Sequence, residues 1–297
     1  MSIWFIGTGT FAALCLDELT QSGVIFDRII TGLPTRSGRN GKENPSPVEL
    51  KALSLGLAVT RTGRLSENTE LLSALEQENP STIFVIDFGQ IIREPFLSRL
   101  CLNIHPSLLP EYRGAAPIQR AILDGKTKTG VTVFRLAAKM DAGEILAQSE
   151  IEISPSDNAS DLYPKLAKLG SSIAVKALAS SELIFTPQDE NNATYAPKIE
   201  KSDCKLDFNF LVYNFVNSVR ALDMSGGAFV ILNGKRVKIW RAELRRDVDG
   251  EKGSVKIIDG RPVLMCDDFG VEVIEVQSEG KRKMSGKEWA LGIRANP

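Results

Sequence analysis

The chain has 297 residues, of which 43% are apolar and 25% are charged, with 36 basic against 37 acidic residues for a formal net charge of −1. These proportions are typical of folded globular proteins and exclude a disordered chain or a fibrous repeat. The near-neutral charge excludes a protein that coats duplex DNA through its overall charge, so any nucleic-acid contact must be local. At roughly 150 residues per domain, the length predicts about two domains.

Cysteine and histidine usage argues against a metal site and against a disulfide scaffold. The chain has four cysteines and one histidine, and no cysteine pair has the spacing of a metal or redox motif. Reduced thiols, a start without a basic and apolar leader, and the lack of any run of about 20 apolar residues predict a cytoplasmic protein. We therefore expect no metal and no membrane contact.

Short apolar strands alternate with amphipathic helices in the first third of the chain. Apolar runs predict strands at 3–6, 28–31, 57–60 and 82–86, and helical periodicity predicts helices at 10–21, 47–55 and 68–78. The run at 82–86 is apolar throughout, as expected for a strand covered on both faces. This alternation predicts an α/β fold with a Rossmann-like, doubly wound parallel sheet.

The middle of the chain extends this fold, and the pattern changes near residue 190. Strands are predicted at 101–104, 130–135 and 143–152, the last two as a hairpin-like pair, and helices at 117–123 and 160–180. Beyond a polar segment, a helix at 209–222 precedes strands at 228–232, 236–243, 252–258, 262–266 and 270–276. Turns at Asn233-Gly234 and Asp259-Gly260 separate these strands and predict a small OB-like β-barrel. We therefore predict a catalytic domain over 1–189, a linker over 190–205 and a C-terminal OB-like barrel domain over 206–297.

A glycine-rich turn follows the first predicted strand. Gly7-x-Gly9-x-x-Ala12 has the spacing and the strand-to-helix context of a dinucleotide-binding fingerprint. That fingerprint also needs an acidic residue at the end of the second strand, where this chain has Thr31-Gly32-Leu33-Pro34. The pattern therefore favours a tight turn, with free amides facing a catalytic cleft, over a nicotinamide site.

The stretch that begins at Asn103 carries the strongest functional signal. Asn103 and His105 are two residues apart on a predicted strand and point to the same side, at the edge of the sheet where open α/β folds bind ligands. Asp141 lies in a predicted tight turn, so an amide, an imidazole and a carboxylate could converge. From the residues alone, a purely structural histidine remains the alternative.

Several motifs resemble the folate-dependent formyltransferases, and the resemblance covers almost the whole chain. They are Asn103-x-His105-x-Ser107-Leu108-Leu109-Pro110, Arg113-Gly114-Ala115-Ala116-Pro117 and Asp141-x-Gly143. The resemblance implies that an amine attacks the formyl carbon of 10-formyltetrahydrofolate without a metal. It gives Asn103 the role of hydrogen-bond donor to the formyl oxygen, His105 that of proton acceptor or imidazolium, and Asp141 that of its orienting partner.

The resemblance also implies where the folate lies. The matching segments are Phe88, Gly89, Gln90 and Ile91 after the fourth strand, Ser107, Leu108, Leu109 and Pro110 after Asn103-x-His105, and Gly143 beside Asp141. Core packing is the alternative for Phe88 and Ile91. Where this chain has Asp87-Phe88, members of the family often have Ala-Tyr, so this chain differs at the edge of the pocket.

A basic, glycine-rich loop bears on which amine receives the formyl group. The loop carries Arg36, Arg39 and Lys42 and no acidic residue, which suits contacts with the phosphates of an RNA acceptor stem, although a solvated loop is the alternative. The tRNA-specific branch of the family has a basic loop at this place, and the resemblance implies that Arg39 meets the acceptor end. A second cluster lies in the C-terminal part, at Lys235, Arg236, Lys238, Arg241, Arg245 and Arg246.

The favoured function is formylation of initiator methionyl-tRNA in translation initiation, by a monomer. The first alternative is an N-formyltransferase that acts on an amino sugar nucleotide and needs no basic loop. A formyl-folate hydrolase and a non-catalytic nucleotide-binding module are two further alternatives. Residues 220–228 replace a Pro-Trp-Pro stretch that is usual in the tRNA branch, so the substrate surface of the second domain differs in detail.

Overall fold

A computed structural model describes residues 2–37 and 42–295, with the side chains of residues 36, 37, 42, 294 and 295 left undescribed. The chain divides into two compact units, one of residues 1–114, 129–151 and 163–196, the other of residues 115–128, 152–162 and 197–297. Residues 190–196, predicted as part of a linker, thus belong to the first unit. Two short segments from the middle of the chain belong to the second.

The first unit contains a seven-stranded sheet with the order β5-β2-β1-β6-β7-β8-β9. Its strands are β1 (Ile3–Gly7), β2 (Arg28–Gly32), β5 (Thr60–Thr62), β6 (Thr82–Ile86), β7 (Cys101–His105), β8 (Lys128–Arg135) and β9 (Ile145–Glu152). The pairs β1–β2, β1–β6, β2–β5 and β6–β7 are parallel, whereas β7–β8 is antiparallel. The predicted α/β class is confirmed, and the sheet is mixed rather than wholly parallel. A short hairpin of β3 (Thr35–Ser37) and β4 (Lys42–Asn44) was not predicted.

The helices between and after these strands are α1 (Thr10–Gln21), α2 (Pro47–Ser54), α3 (Thr69–Glu78), α4 (Pro117–Leu123) and α5 (Ala159–Leu178). Helices α1 to α3 connect the parallel strands, α4 lies between β7 and β8, and α5 follows β9. The Ser46 side chain accepts a hydrogen bond from the Glu49 amide (3.0 Å) and precedes a proline in the first turn of α2. Asn68 caps α3 in the same way, through the Leu71 amide at 3.0 Å. These caps fix both helix starts within one residue of the predicted ones.

The central strands are apolar because both faces of the sheet are covered. All five residues of β6 are buried, and Trp4, Phe5 and Ile6 of β1 have no exposed surface. The parallel strands therefore form a rigid base. The polar residues of the candidate site lie on β7, in the loop that follows it and in the loop between β8 and β9.

The second unit contains a six-stranded antiparallel sheet. Its strands are β10 (Ala228–Leu232), β11 (Lys235–Arg245), β12 (Val255–Ile258), β13 (Arg261–Met265), β14 (Gly270–Ser278) and β15 (Met284–Ser285), and its helices include α6 (Val212–Ala221) and α7 (Gly286–Ala295). The order is β10-β11-β14-β13-β12, with β15 beside β14. Asn233 and Asp259 have positive φ angles in the turns that the sequence predicted. No helix within residues 2–37 and 42–295 is long and apolar enough to span a membrane.

Candidate active site

Strand β7 positions two of the three predicted catalytic side chains. Asn103 pairs with Phe134 of β8, and His105 pairs with Thr132. Because successive side chains of a strand point to opposite faces, Asn103 and His105 lie on the same face of β7. His105 is 5% exposed and ends the strand, with its ring edge-on to Phe134 at 6.4 Å. Packing thus holds the imidazole in one orientation.

The two ring nitrogens of His105 have different partners. Nε2 lies 2.9 Å from the carbonyl oxygen of Tyr112, and since a carbonyl only accepts, Nε2 carries a hydrogen and donates it. Nδ1 faces Oδ2 of Asp141 at 3.8 Å. In the neutral imidazole, Nδ1 is therefore the atom with a lone pair, free to take up a proton. The Asp141 carboxylate is placed to stabilise the resulting positive charge.

Asp141 is held in a tight loop after β8. Its Oδ2 accepts a hydrogen bond from the Gly114 amide at 2.8 Å, and its side chain is only 11% exposed. The backbone of Asp141 has φ 51°, a left-handed conformation that ordinary residues rarely adopt. At Gly143 a Cβ atom would lie 1.7 Å from the Arg135 carbonyl oxygen, so only glycine fits there. The conformation of this loop therefore requires glycine at position 143, independently of any contact with a ligand.

Asn103 has hydrogen-bonding capacity that no described residue uses. Its Oδ1 is buried, yet no donor within residues 2–37 and 42–295 reaches it. A buried polar atom without a partner is costly in a folded protein, which is why such atoms mark ligand sites. Oδ1 of Asn103 can thus accept a hydrogen bond from a ligand beside His105, whereas the donors of the same carboxamide are the hydrogens of Nδ2.

The loop after β7 is braced by buried polar contacts. The Thr132 hydroxyl donates to the Ser107 carbonyl at 2.7 Å and accepts from the Leu109 amide at 3.0 Å. The Ser107 hydroxyl donates to the Glu111 carbonyl at 2.6 Å, and Gln148 donates to the Leu109 carbonyl at 2.7 Å. The side chain of Ser107 and the backbone of Leu109 therefore fix this loop, which leads directly into the Tyr112 carbonyl that orients His105.

The segment after β6, predicted to contact folate, combines an anchored residue with an exposed one. The Gln90 side chain donates to the Gly63 carbonyl at 2.5 Å and accepts from the Leu65 amide at 3.0 Å. Phe88 packs partly against the apolar core, whereas Ile91 is 71% exposed. Core packing is thus wrong as an account of Ile91, whose apolar surface is available to a ligand.

The glycine-rich turn at the start of α1 is not open to a phosphate. The amides of Thr8 and Gly9 donate to the Asp87 carbonyl, and those of Phe11 and Ala12 bond to the Asp87 carboxylate. The carboxylate lies so close that a Cβ atom on Gly9 would be 1.8 Å from its Oδ2. The expectation of free amides at this turn is therefore wrong. An acidic side chain of the chain itself occupies the position where a dinucleotide phosphate would bind.

Burial raises the pKa of Asp87, against the two amide hydrogen bonds, which lower it. The folded state therefore binds the proton of the Asp87 carboxyl more tightly than the unfolded chain does. The contribution of Asp87 to the free energy of unfolding consequently falls as the pH rises from the ordinary pKa of aspartate through its raised pKa in the folded state. In the variant Asp87→Asn, the side-chain oxygen still accepts from the helix amides without a charge. We expect the unfolding free energy of Asp87→Asn, relative to the parent, to increase with pH and then level off.

Urea unfolding of both proteins at five pH values between 4 and 8 measures this difference. Glu76→Gln, which removes one charge from an exposed position on α3, is the control. A difference between Asp87→Asn and the parent that stays constant across that range contradicts the prediction.

The predicted acceptor-stem residues lie largely beyond what the structure describes. Arg39 lies outside the described residues, as do the side chains of Arg36 and Lys42, although the backbone at 36 and 42 belongs to the β3–β4 hairpin. In the second unit, the residues of the predicted basic cluster have different kinds of partners. Arg245 is engaged by Glu272 at 2.7 Å and Asp247 at 2.9 Å.

Other basic side chains of the second unit lie over aromatic rings. Lys283 lies 3.7 Å and Lys238 5.5 Å from the centre of the Trp240 ring. In the same arrangement, Arg236 lies 4.4 Å from the Phe229 ring centre. Within the described residues, no group of three His, Cys, Asp or Glu side chains could hold a metal ion.

The segment that departs from the usual Pro-Trp-Pro stretch has defined contacts within the second unit. Ser160 lies at the start of α5, and its hydroxyl and its amide both donate hydrogen bonds to the Asp223 carboxylate. Gly227 has φ 83°, and a Cβ atom there would lie 2.9 Å from the Trp240 ring. Glycine at 227 therefore lets the chain pass close to Trp240.

Two backbone groups of the site belong to the residues on either side of Arg113, and reasoning from side chains alone missed both. The Tyr112 carbonyl orients His105, and the Gly114 amide holds Asp141. Arg113 itself begins the Arg-Gly-Ala-Ala-Pro stretch. The only signal in the sequence was Gly114 itself, whose φ of 119° needs glycine.

The fold and the site define a class of enzyme. The chain matches the formyl transferase family over residues 1–178 and the C-terminal domain of formyl transferases over residues 198–294. The chain belongs to the formyl transferase family. Among curated relatives, methionyl-tRNA formyltransferases from Jannaschia sp. and Acidobacterium capsulatum are 36% and 37% identical, each covering 100% of this chain and 98% of the relative.

Solved structures share the fold at lower identity. HypX from Aquifex aeolicus, in complex with tetrahydrofolic acid, has a TM-score of 0.68 at 19% identity and covers 97% of this chain and 46% of its own. A methionyl-tRNA formyltransferase from Clostridium thermocellum has a TM-score of 0.57 at 17% identity over 84% of this chain and 95% of its own. An N-formyltransferase from Helicobacter canadensis, in complex with folinic acid and dTDP-3-aminofucose, has a TM-score of 0.66 at 18% identity over 94% of this chain and 99% of its own.

Proposed function

We propose that this enzyme transfers the formyl group of 10-formyltetrahydrofolate to the amino group of methionyl initiator tRNA. The observation that carries the proposal is the buried His105–Asp141 pair at 3.8 Å, on the same strand face as the Asn103 side chain. The full-length match to methionyl-tRNA formyltransferases supports the choice of acceptor.

In the proposed reaction, the neutral methionyl amine attacks the formyl carbon and a new C–N bond forms. The Asn103 carboxamide donates a hydrogen bond to the formyl oxygen as negative charge develops there. Nδ1 of His105 takes the proton that the attacking nitrogen loses, and Asp141 stabilises the imidazolium. When the tetrahedral intermediate collapses, the bond to folate N10 breaks and His105 returns the proton to that nitrogen.

The folate site in this proposal combines three segments, which follow β6, β7 and β8 along the chain. The loop of Ser107 to Pro110, the segment of Phe88 to Ile91 and the turn at Gly143 supply backbone groups and the exposed Ile91 side chain. The Gln90 and Thr132 hydrogen bonds hold two of these segments in place before any ligand arrives. Preformed pockets lose less entropy on binding.

The acceptor contact in this proposal is local and basic. The sequence resemblance implies that the loop of Arg36, Arg39 and Lys42 contacts the acceptor end of the tRNA. In the second unit, Lys283, Lys238 and Arg236 lie over aromatic rings and offer positive charge to nucleic acid. The formal net charge of −1 makes such local groups necessary.

An acceptor-choice assay tests the proposal. Purified enzyme with 10-formyltetrahydrofolate is offered methionyl initiator tRNA or, separately, an amino sugar nucleotide, and the formylated product is quantified. We expect transfer to the tRNA only. Transfer to the sugar alone overturns the proposed acceptor, and release of formate without either acceptor indicates a hydrolase.

Removing the basic charge at position 39 tests the role of the loop. We expect Arg39→Ala to raise the KM for tRNA about tenfold or more, because a charge-assisted phosphate contact is lost, and to leave folate affinity unchanged. Arg64→Ala, which removes an arginine 78% exposed and paired only at the surface, is the matched control. Equal KM values for the two variants contradict the assignment of Arg39.

A further inference from the structure

A fully buried arginine lies directly beside the candidate site. Arg113 is 1% exposed, and its Nε and Nη2 donate to Oε1 of Gln188 at 3.1 and 2.7 Å. Its Nη2 also donates to Glu190 at 2.7 Å. A buried guanidinium is stable only when partners use its donors, and Gln188 and Glu190 supply them.

The other end of Gln188 holds the loop of Asp141. Its Nε2 donates to the Asp141 carbonyl at 2.9 Å and to the Gly143 carbonyl at 2.7 Å. Both hydrogens of Nε2 are thus used on the loop, while Oε1 faces the cation. The Arg113 charge fixes which way the amide points, and only the amide nitrogen can donate to the loop.

We propose that Gln188 is a positioning residue, which holds Asp141 within reach of His105 by bridging the Arg113 guanidinium to the Asp141 loop. The role rests on the proposed function, in which Asp141 stabilises the His105 imidazolium. Asp141 has a left-handed backbone, with φ 51°, so its surroundings must impose that conformation. Gly114 holds its carboxylate at 2.8 Å, and Gln188 holds its carbonyl.

The bridge forms a closed ring within the first unit. Gly114 is the chain neighbour of Arg113, so the path Arg113–Gln188–Asp141–Gly114 returns to its start. A carboxylate held at both its side chain and its backbone has little freedom to move away from Nδ1 of His105. This restriction matters because a misplacement of about 1 Å in an active site can cost roughly 10²-fold in rate.

The segment of Gln188 is itself fixed at both ends. Thr186 and Ile145 exchange two backbone hydrogen bonds of 2.8 Å, and the Arg113 amide donates to the Thr194 carbonyl at 2.9 Å. The Arg113 guanidinium, and next the Lys139 ammonium, lower the pKa of Glu190 to about 2. Glu190 therefore remains charged throughout the working pH range, and the anchor of Arg113 does not depend on pH.

The variant Gln188→Glu removes the donors to the loop and keeps an oxygen for Arg113. A carboxylate oxygen then faces the Asp141 and Gly143 carbonyls and repels them, so we expect kcat to fall about 10- to 100-fold, with the KM for tRNA within about threefold. Gln188→Met, of similar volume and without either hydrogen bond, is the second variant and serves if Gln188→Glu fails to fold. Gln77→Glu, on the exposed face of α3, is the control and should leave kcat unchanged.

A double-mutant cycle separates positioning from a merely structural role. If Gln188 acts through Asp141, then Gln188→Glu adds less than about threefold to the single-turnover loss of Asp141→Asn, although it costs 10-fold or more alone. Losses that multiply in the double variant overturn the proposal, as does a folded Gln188→Glu or Gln188→Met with parental kcat. Full activity of Asp141→Asn contradicts the proposed function instead, so the two failures are distinguishable.

Discussion

Replacing His105 with asparagine should lower kcat for formyl transfer by about 10² to 10⁴, the range that general acid–base catalysis supplies. The physical reason is the division of work between the two ring nitrogens. Nε2 is committed to the Tyr112 carbonyl at 2.9 Å, and Nδ1 faces Asp141. Asparagine removes the Nδ1 lone pair that accepts the amine proton. Because its side chain ends at the δ position, it also loses the hydrogen bond of Nε2 to the Tyr112 carbonyl.

Single-turnover formylation of methionyl initiator tRNA measures this loss, with folate affinity and Tm as controls for the fold. Asp141→Asn is the companion variant, since its side-chain oxygen still accepts from the Gly114 amide while the charge that stabilises the imidazolium is gone. Both variants should bind 10-formyltetrahydrofolate with parental affinity. A near-parental kcat in His105→Asn would mean that another group takes up the proton, and the assignment of His105 would then be wrong.

Most of the fold could be predicted because local signals and burial agree. The α1 and β6 boundaries match the predictions residue for residue, since the apolar period of 10–21 favours a helix and the apolar run of 83–86 favours a strand covered on both faces. β5 lies at Thr60–Thr62 instead of 57–60, because pairing of Ile30 with Thr60 decides which residues join the sheet. The β-strand propensity of the residues does not by itself determine that register.

Helix α7 was not predicted, although the sequence contains a capping signal at its start. The Ser285 hydroxyl accepts from the Glu288 amide at 3.2 Å, and the Glu288 carboxylate accepts from the Ser285 amide at 2.8 Å. This reciprocal arrangement is a capping box, readable as Ser-x-x-Glu. The β3–β4 hairpin, in contrast, has two strands of three residues each and little apolar pattern, so no periodicity could indicate it.

Part of the candidate site could be predicted from the spacing of residues along the chain, whereas the rest depends on contacts that form only in the folded protein. Strand alternation places Asn103 and His105 on one face, and the structure has them on the same strand face. Asp87 and Gln188 lie 78 and 47 residues along the chain from the groups they bind, Gly9 and Asp141. Each is an ordinary polar residue in sequence, and its role depends on a contact that no local pattern specifies.

Replacing Asn103 with alanine should lower kcat by about 10² to 10³, equivalent to roughly 2.7–4 kcal/mol of transition-state stabilisation for one oxyanion donor. The stability of the fold should change little, because Oδ1 has no hydrogen-bond partner within the described part of the chain, so truncation breaks no hydrogen bond at that atom. Asn103→Asp is the sharper variant, since it keeps the volume and places a carboxylate where negative charge develops on the formyl oxygen. We expect it to be slower than Asn103→Ala.

Rate and stability measured on the same preparations decide the role of this carboxamide. Single-turnover rates with saturating 10-formyltetrahydrofolate, compared with Tm, separate a catalytic donor from a packing residue. A packing residue predicts that Asn103→Ala loses Tm and keeps its rate, and that Asn103→Asp is the milder change because it is isosteric. An oxyanion donor predicts the reverse order in rate, with Asn103→Asp the more severe, because a hydrogen bond to the developing charge is replaced by repulsion.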